Sequence, residues 1–481
     1  MTATNTSHEG GTRTITTRSY VLGALGGGIR GYELGVVAGA LLFAGPALHL
    51  DPTLKGAVVS SALFGSLLGA LAVGPASSRY GRKMMIAVAG ALYAVGIVGA
   101  ALAPNAATLI TSRVVLGLAV GIATVMIPVY IAEIAPARSR GTSVTLFQLM
   151  ITIGVLVSSI GSYLLSFSSG WRWMFAIGVF PALVMLGGAF FLPESPRWLI
   201  SRGREQDARK VLERSRDPES LDAEIEQIKQ INERAESQLR LTAILVSPAL
   251  RRLLLIGSVL GILQQFIGIN AVTYYAPSVL KSIGYSSSAA ILANVGFSTL
   301  GLLSTAVMVF FVVDRMGRKK PLMYGALGMA VSMAVLSAVF ATAGASRGAT
   351  GYIAIICLAF FQVMFGLSWG GIVWTVLGEM FPLRIRGLAM GVATFLTEGA
   401  SVVVSQFFPE LLKVGAATVF LIFAVMGIVG FLWATFMVPE TRHRSLEEIE
   451  AGLVGRGYEV GQGIASPAVP LGPREAKGLP S

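Results

Sequence analysis

The sequence predicts an all-α membrane protein of twelve transmembrane helices arranged as two parallel halves. Three observations carry this. Apolar residues make up 54% of the 481-residue chain and charged residues only 13%, far from ordinary soluble usage. Twelve apolar stretches are long enough to cross a bilayer, which takes roughly 20 residues. They lie near residues 20–43, 54–74, 84–103, 108–131, 143–166, 173–192, 252–276, 287–312, 320–343, 351–378, 388–412 and 417–438. Finally, one phrase occurs twice: Glu133-Ile134-Ala135-Pro136-Ala137-Arg138-Ser139-Arg140-Gly141 and Glu379-Met380-Phe381-Pro382-Leu383-Arg384-Ile385-Arg386-Gly387 share E-x-x-P-x-R-x-R-G.

Two further phrases keep the same register. Pro193-Glu194-Ser195 begins 60 residues beyond Glu133, and Pro439-Glu440-Thr441 begins 60 residues beyond Glu379. Upstream, Arg79-Tyr80-Gly81-Arg82-Lys83 is matched by Arg315-Met316-Gly317-Arg318-Lys319. A duplicated membrane chain is the architecture of many secondary transporters.

The elements follow in order. Residues 1–19 are polar and expected to form a loose tail. The first span stays in the mature chain, since a polar stretch precedes it and no small-residue cleavage site ends it. Gly and Pro inside the spans are tolerated in a bilayer. Gly81 permits a tight turn after the second span, and Gly317 repeats it after the eighth. Residues 20–192 make the N-terminal half, 193–251 a long linker, 252–438 the C-terminal half and 439–481 a tail. Leu221, Ile225 and Ile228 recur in the linker at helical spacing among charged residues, predicting short amphipathic helices on the cytoplasmic face. From Gly452 the tail is rich in Gly and Pro, and disorder is expected.

Orientation comes from the loop cations. One side holds the basic loops, the repeated phrases and the linker; the other holds only Lys55, Arg172, Lys281, Arg347 and Lys413. The first side is expected to be cytoplasmic, with both termini. The net charge of +12 reflects this bias and the pull of anionic lipid heads, with no nucleic-acid partner implied. Cys357 is the single cysteine, so no intramolecular disulfide can form. His8, His49 and His443 have no metal-ligand spacing, and no phosphate-cradling loop is present. No metal, no cofactor and no enzymatic activity are expected.

The chain resembles the sugar porters of the major facilitator superfamily over roughly residues 20–450. The resemblance rests on Gly31-Tyr32-Glu33, the Arg79–Lys83 loop, Tyr130-Ile131-Ala132-Glu133, Pro193-Glu194-Ser195-Pro196-Arg197-Trp198, Gln264-Gln265-Phe266-Ile267-Gly268-Ile269-Asn270, and Pro439-Glu440-Thr441 followed by Leu446-Glu447-Glu448. It implies the major facilitator fold, two six-helix bundles that rock around a substrate near mid-membrane. It also implies an inner or plasma membrane location, a sugar or polyol and protons as partners, and work as a monomer. By resemblance, Gln148, Gln264, Gln265, Asn270 and Trp374 fall where the family contacts a monosaccharide.

Chemistry points the same way for the amides, which both donate and accept as sugar hydroxyls do. Gln264, Gln265 and Asn270, with Tyr274 one turn on, are costly in a bilayer unless they pair or line a wet cavity. Interhelical glue is the competing reading.

Four ionisable residues lie within apolar spans: Arg30, Glu33, Arg113 and Glu398. Such residues mark proton or substrate paths, or static pairs. By resemblance, Glu33 stands where proton-coupled sugar porters carry Asp, and Arg113 matches their helix 4 Arg. Arg30 replaces the family aromatic and can reach Glu33 at i, i+3. Glu398 and Thr397 replace the amide and Trp usual on helix 11, and Glu398 is a candidate partner for Arg30 across the bundles. Gly371, Val155, Leu302 and Ser78 also depart from the family pattern. The basic residues Arg82, Arg140, Arg318 and Arg386 can reach Glu133, Glu194, Glu379 and Glu440, forming a clamp on one conformation.

The function expected is import of a monosaccharide or related polyol by alternating access with proton symport. The alternatives are an uncoupled facilitator and a sugar-binding membrane sensor.

Overall fold

The structure is a computed structural model that describes residues 3–134, 137–168, 170–213, 221–235, 248–342, 348–381 and 385–441; side chains of 3–20, 23, 137–146, 148, 231–235, 249 and 314 are outside the description. Every regular element among these residues is helical. Eleven helical spans are long and apolar enough to cross a membrane, and α1 (Ala3–Ala47) completes the set of twelve. The N-terminal half continues with α2 (Pro52–Tyr80), α3 (Arg82–Leu102), α4 (Ala106–Ile134), α5 (Ala137–Leu165) and α6 (Trp171–Phe190). The helix runs from Ala3, so the stretch expected as a loose tail continues α1. The expected tail beyond 441 lies outside the described residues.

Three short helices follow: α7 (Pro196–Ser201), α8 (Glu205–Leu212) and α9 (Leu221–Ala235). Ser195 caps α7 by accepting from the Trp198 N–H, and Pro196 at N1 forfeits no helical bond. The apolar stripe of α9 does not face a bilayer. Leu221, Ile225 and Ile228 pack with Leu212 and Ile200 into a separate small core. Arg209–Asp222 at 2.7 Å and Lys229–Glu205 at 2.8 Å flank it. Trp198 Nε1 and Arg202 donate to the Ser78 and Arg79 carbonyls, fixing this module on the first basic loop.

The C-terminal half contains α10 (Pro248–Phe266) and α11 (Ile269–Ser282), α12 (Ser287–Val312), α13 (Lys319–Thr342), α14 (Ala349–Leu367) and α15 (Trp369–Met380), α16 (Arg386–Val414) and α17 (Ala416–Phe436). Two spans expected as continuous are broken. Gly268, at φ +105°, separates α10 from α11, and a Cβ there would lie 2.8 Å from the Phe423 ring. Ser368 separates α14 from α15 and returns its hydroxyl to the Met364 carbonyl.

Within the N-terminal half α1 packs on α5 and α2 on α4. Gly27, Gly31 and Gly35 put backbone-close contact at every turn of α1 against α5, the small-residue packing that lipid favours. Across the halves, α2 packs on α16, α5 on α12 and α1 on α11. The cross-half hydrogen bonds concentrate away from the basic loops. Ser60 donates to Gln406 Oε1 at 2.7 Å, Gln406 donates to the Thr53 carbonyl, and Thr53 donates to Glu410. Ser159 bonds Ser298 at 3.0 Å and accepts from Asn294, while Ser166 bonds Ser288. The halves are therefore zipped on the side away from the basic loops.

Candidate functional site

The amides converge where span seven breaks. Gln264 and Gln265 end α10, and Asn270 opens α11, so the Gly268 turn brings them together. Asn270 Nδ2 donates to Gln265 Oε1 at 2.9 Å and also to the Ser401 hydroxyl on α16. Gln265 in turn donates to Gln264 Oε1 at 3.2 Å. Asn270 is thus placed on Gln265, not beside Gln264 as the helical wheel of an unbroken span suggests. Gln264 points elsewhere as well: its Nε2 donates to the Trp369 carbonyl at 2.6 Å, a bond that ties α10 to α15. It is interhelical glue at one end and part of the amide chain at the other. Trp374 is half-buried on α15. Tyr274 is fully buried, and its hydroxyl has no partner among the described residues. The side chain of Gln148 lies outside the described residues.

The charged residues sort into two pairs. Arg113 Nη2 donates to Glu33 Oε1 at 2.9 Å, with side-chain exposures of 0% and 4%. Arg113 Nε donates to the Val58 carbonyl of α2, and Nη1 has no partner among the described residues. The Phe175 ring also lies under the guanidinium, 5.9 Å from it. This is a dry pair inside the N-terminal half. Breaking such a pair by removing one partner costs about 3–5 kcal/mol.

Arg30 does not take the Glu33 partner open to it at i, i+3. Its Nη2 donates to Glu398 Oε1 at 3.2 Å, and its Nη1 to Thr124 at 3.2 Å. This second pair joins α1 of one half to α16 of the other.

The basic loops repeat one geometry. Arg82 is bidentate on Glu133, at 2.9 and 3.1 Å. Glu194 accepts from the backbone N–H groups of Arg82, Lys83 and Ser195. In the second half Arg318 is bidentate on Glu379, at 3.1 and 2.7 Å, and Glu440 accepts from the N–H groups of Arg318 and Lys319. A carboxylate at a helix start meets unsatisfied N–H groups and the positive end of the dipole. Gly81 and Gly317 sit at φ +95° and +76°, and a Cβ at either would lie 2.2 or 2.7 Å from the Glu194 or Glu440 carboxylate. Arg386 makes no ion pair among the described residues; it donates to the Phe381 carbonyl. The Arg140 side chain is outside the description. The bonds named for each network lie within one half.

Several polar residues of the site were not singled out from sequence: Ser401, Thr124, Gln406, Asn294 and Ser159. Gln406 and Asn294 carried a usable signal, since an amide inside an apolar span has the same cost as Gln264. The serines and Thr124 carried none, because small hydroxyls bond back to their own helix at little cost.

Residues 20–453 match the family described as sugar (and other) transporter. The chain is 42% identical over 451 residues to the putative metabolite transport protein YwtG of Bacillus subtilis, covering 93% of this chain and 96% of that one. It is 41% identical to the glucose transporter GlcP of Staphylococcus epidermidis, covering 90% and 96%. Among solved structures, the inward-open xylose transporter XylE of E. coli superposes with a TM-score of 0.79 at 30% identity, covering 91% of this chain and 99% of that one. The proton:xylose symporter XylE bound to 6-bromo-6-deoxy-D-glucose gives 0.74 at 31%, covering 92% and 100%. The chain belongs to the sugar (and other) transporter family, in the major facilitator fold.

Proposed function

We propose that this protein imports a monosaccharide or related polyol by alternating access, driven by proton symport. The observation that carries the reading is that one chain holds both the Gln265–Asn270–Ser401 amide cluster and the dry Glu33–Arg113 pair. The amides offer a hydroxylated ligand both donors and acceptors. The carboxylate offers a proton site whose charge is tolerable only while Arg113 is near.

Coupling follows from that dependence. An ionised Glu33 is held by Arg113; a protonated Glu33 releases it. The two halves then rock between the zipped outer face seen here and a closed basic-loop face. Arg30 favours this over passive transport, because it is engaged by Glu398 and Thr124 and leaves Glu33 to a single arginine. The names of GlcP and XylE support a sugar as cargo and, for XylE, protons as co-substrate.

We assign the basic-loop face to the cytoplasm, with both termini there, in the plasma membrane, and the monomer as the working unit. Arg82, Glu133, Arg140, Glu194, Arg318, Glu379, Arg386 and Glu440 act as a clamp, by shaping each half so that the basic-loop faces fit when closed. The test is proton movement on sugar addition. De-energised vesicles carrying the protein should alkalinise their medium when a transported sugar is added. Sugar uptake without alkalinisation would establish the uncoupled facilitator instead.

A further inference from the structure

The Arg30–Glu398 pair has unused hydrogen-bonding capacity in the middle of the membrane. Their side chains are 20% and 13% exposed, unlike the sealed Glu33–Arg113 pair. That exposure is to the cleft between the halves and not to lipid. Leu396, Val403 and Phe407 are the exposed apolar residues roughly opposite Glu398 on α16, at ~100° per residue, and they mark its lipid face. On Glu398's own face, two turns toward the basic loops, a Cβ at Gly391 would meet nothing within 4 Å. The α1 and α16 backbones do not pack along their length, so the long Arg30 side chain crosses a gap to reach its partner.

The pair also stands next to the amide chain. Ser401, which bonds Asn270, is three residues beyond Glu398, about 4.5 Å along the helix. Among the described residues, Glu398 accepts only from Arg30, through Oε1, and Arg30 donates only through its two terminal nitrogens. A free carboxylate oxygen therefore lies beside a guanidinium with donor capacity left.

We propose that Arg30 and Glu398 together form a sugar-contacting station that takes two adjacent hydroxyls of the substrate. One hydroxyl donates to the Glu398 carboxylate, and its neighbour accepts from the Arg30 guanidinium. Because the two groups are bonded at 3.2 Å, their spare acceptor and donor sites lie side by side, as the hydroxyls of a vicinal diol do. A carboxylate can only accept and a guanidinium can only donate. The station thus assigns the two hydroxyls opposite roles, and an uncharged polyol leaves the pair neutral. Substrates carrying a charge at this position would strand one partner. This deepens the sugar-transport reading and depends on it.

The test uses purified full-length protein and direct binding measurements. D-glucose, D-galactose, D-xylose and myo-inositol are compared first, and the monodeoxy analogues of the tightest binder follow. The unaltered protein should bind two analogues lacking adjacent hydroxyls roughly ten- to a hundredfold more weakly, the range for lost bonds to charged groups. In Arg30→Met/Glu398→Leu those two penalties should disappear while the other analogues keep theirs. Glu398→Gln, which preserves shape but removes the charge, should shrink the penalty for the hydroxyl it accepts from, and Arg30→Met should erase that of its neighbour; the two decide the matter if the double variant does not fold. An identical pattern of penalties in the unaltered protein and these variants would overturn the station and leave a plain link between the halves. Failure of the unaltered protein to bind any of the four parents would instead overturn the sugar reading itself.

Discussion

Replacing Glu33 by Gln removes a charge while keeping an oxygen for Arg113. The structure sets the scale of the effect. The two side chains meet at 2.9 Å and are 4% and 0% exposed, so solvent screens them little. Two unit charges ~4 Å apart at an effective dielectric of 20 attract by about 4 kcal/mol, before desolvation is charged against them. Each ~1.4 kcal/mol is a tenfold change in a population, so neutralising Glu33 can shift the balance of states by roughly two to three decades. The variant resembles a carrier whose proton never leaves. Sugar binding and counterflow across proteoliposomes should persist, because both halves of the exchange cycle use the loaded carrier. Accumulation driven by a pH gradient should vanish, because the empty, deprotonated carrier is missing. Thermal stability and monodispersity check folding, since the amide compensates the buried Arg113 less well than a carboxylate does. Proton-driven accumulation by Glu33→Gln would refute the reasoning and move the coupling site to Glu398.

Other outcomes follow from the same geometry. Gln265→Ala or Asn270→Ala should abolish sugar binding in a protein that still inserts and folds, read by binding titration beside a thermal-stability control; unchanged uptake would make the cluster structural glue. Arg82→Ala should lower turnover more than sugar affinity, read as the maximal rate against the half-saturation constant of counterflow, because its bidentate bond to Glu133 is remote from the amides. Gly56→Leu should force the zipped faces apart, since a Cβ there would lie 2.1 Å from the Gln406 carbonyl; labelling of a cysteine introduced between those faces should rise, and unchanged labelling would count against the zipped face.

Much of this architecture is legible in the sequence because it is written twice. The same spacing sets Glu133 against Glu194 and Glu379 against Glu440, and in each half an arginine and its neighbouring N–H groups meet both acids. Repetition does not say whether such bonds stay within one half or bridge two, and those of Arg82 and Arg318 to Glu133 and Glu379 stay within. The charge balance of Arg30, Glu33, Arg113 and Glu398 pointed toward two pairs, but the i, i+3 spacing also offered Glu33 to Arg30. Only the approach of α16 shows that Glu398 wins. The break at Gly268 was hidden for a different reason. Glycine is common throughout these spans, and nothing local distinguishes the one that takes positive φ with the Phe423 ring, far away in sequence, where a Cβ would stand. That turn sets which amides touch, so the pairing of Asn270 with Gln265 could not be read from an unbroken helix. Likewise the linker's helical spacing was plain, while the choice of Leu212 and Ile200 over a lipid surface as its apolar partner was a tertiary matter.

The central claim is that a proton gradient drives a sugar through this chain. Its most direct test is the steady-state accumulation of the tightest-binding sugar in proteoliposomes, measured against an imposed pH gradient with and without a protonophore. The account predicts accumulation above the external concentration that grows with the gradient and collapses to equilibration when the protonophore is added. Uptake that stops at equal concentrations whatever the gradient would contradict it.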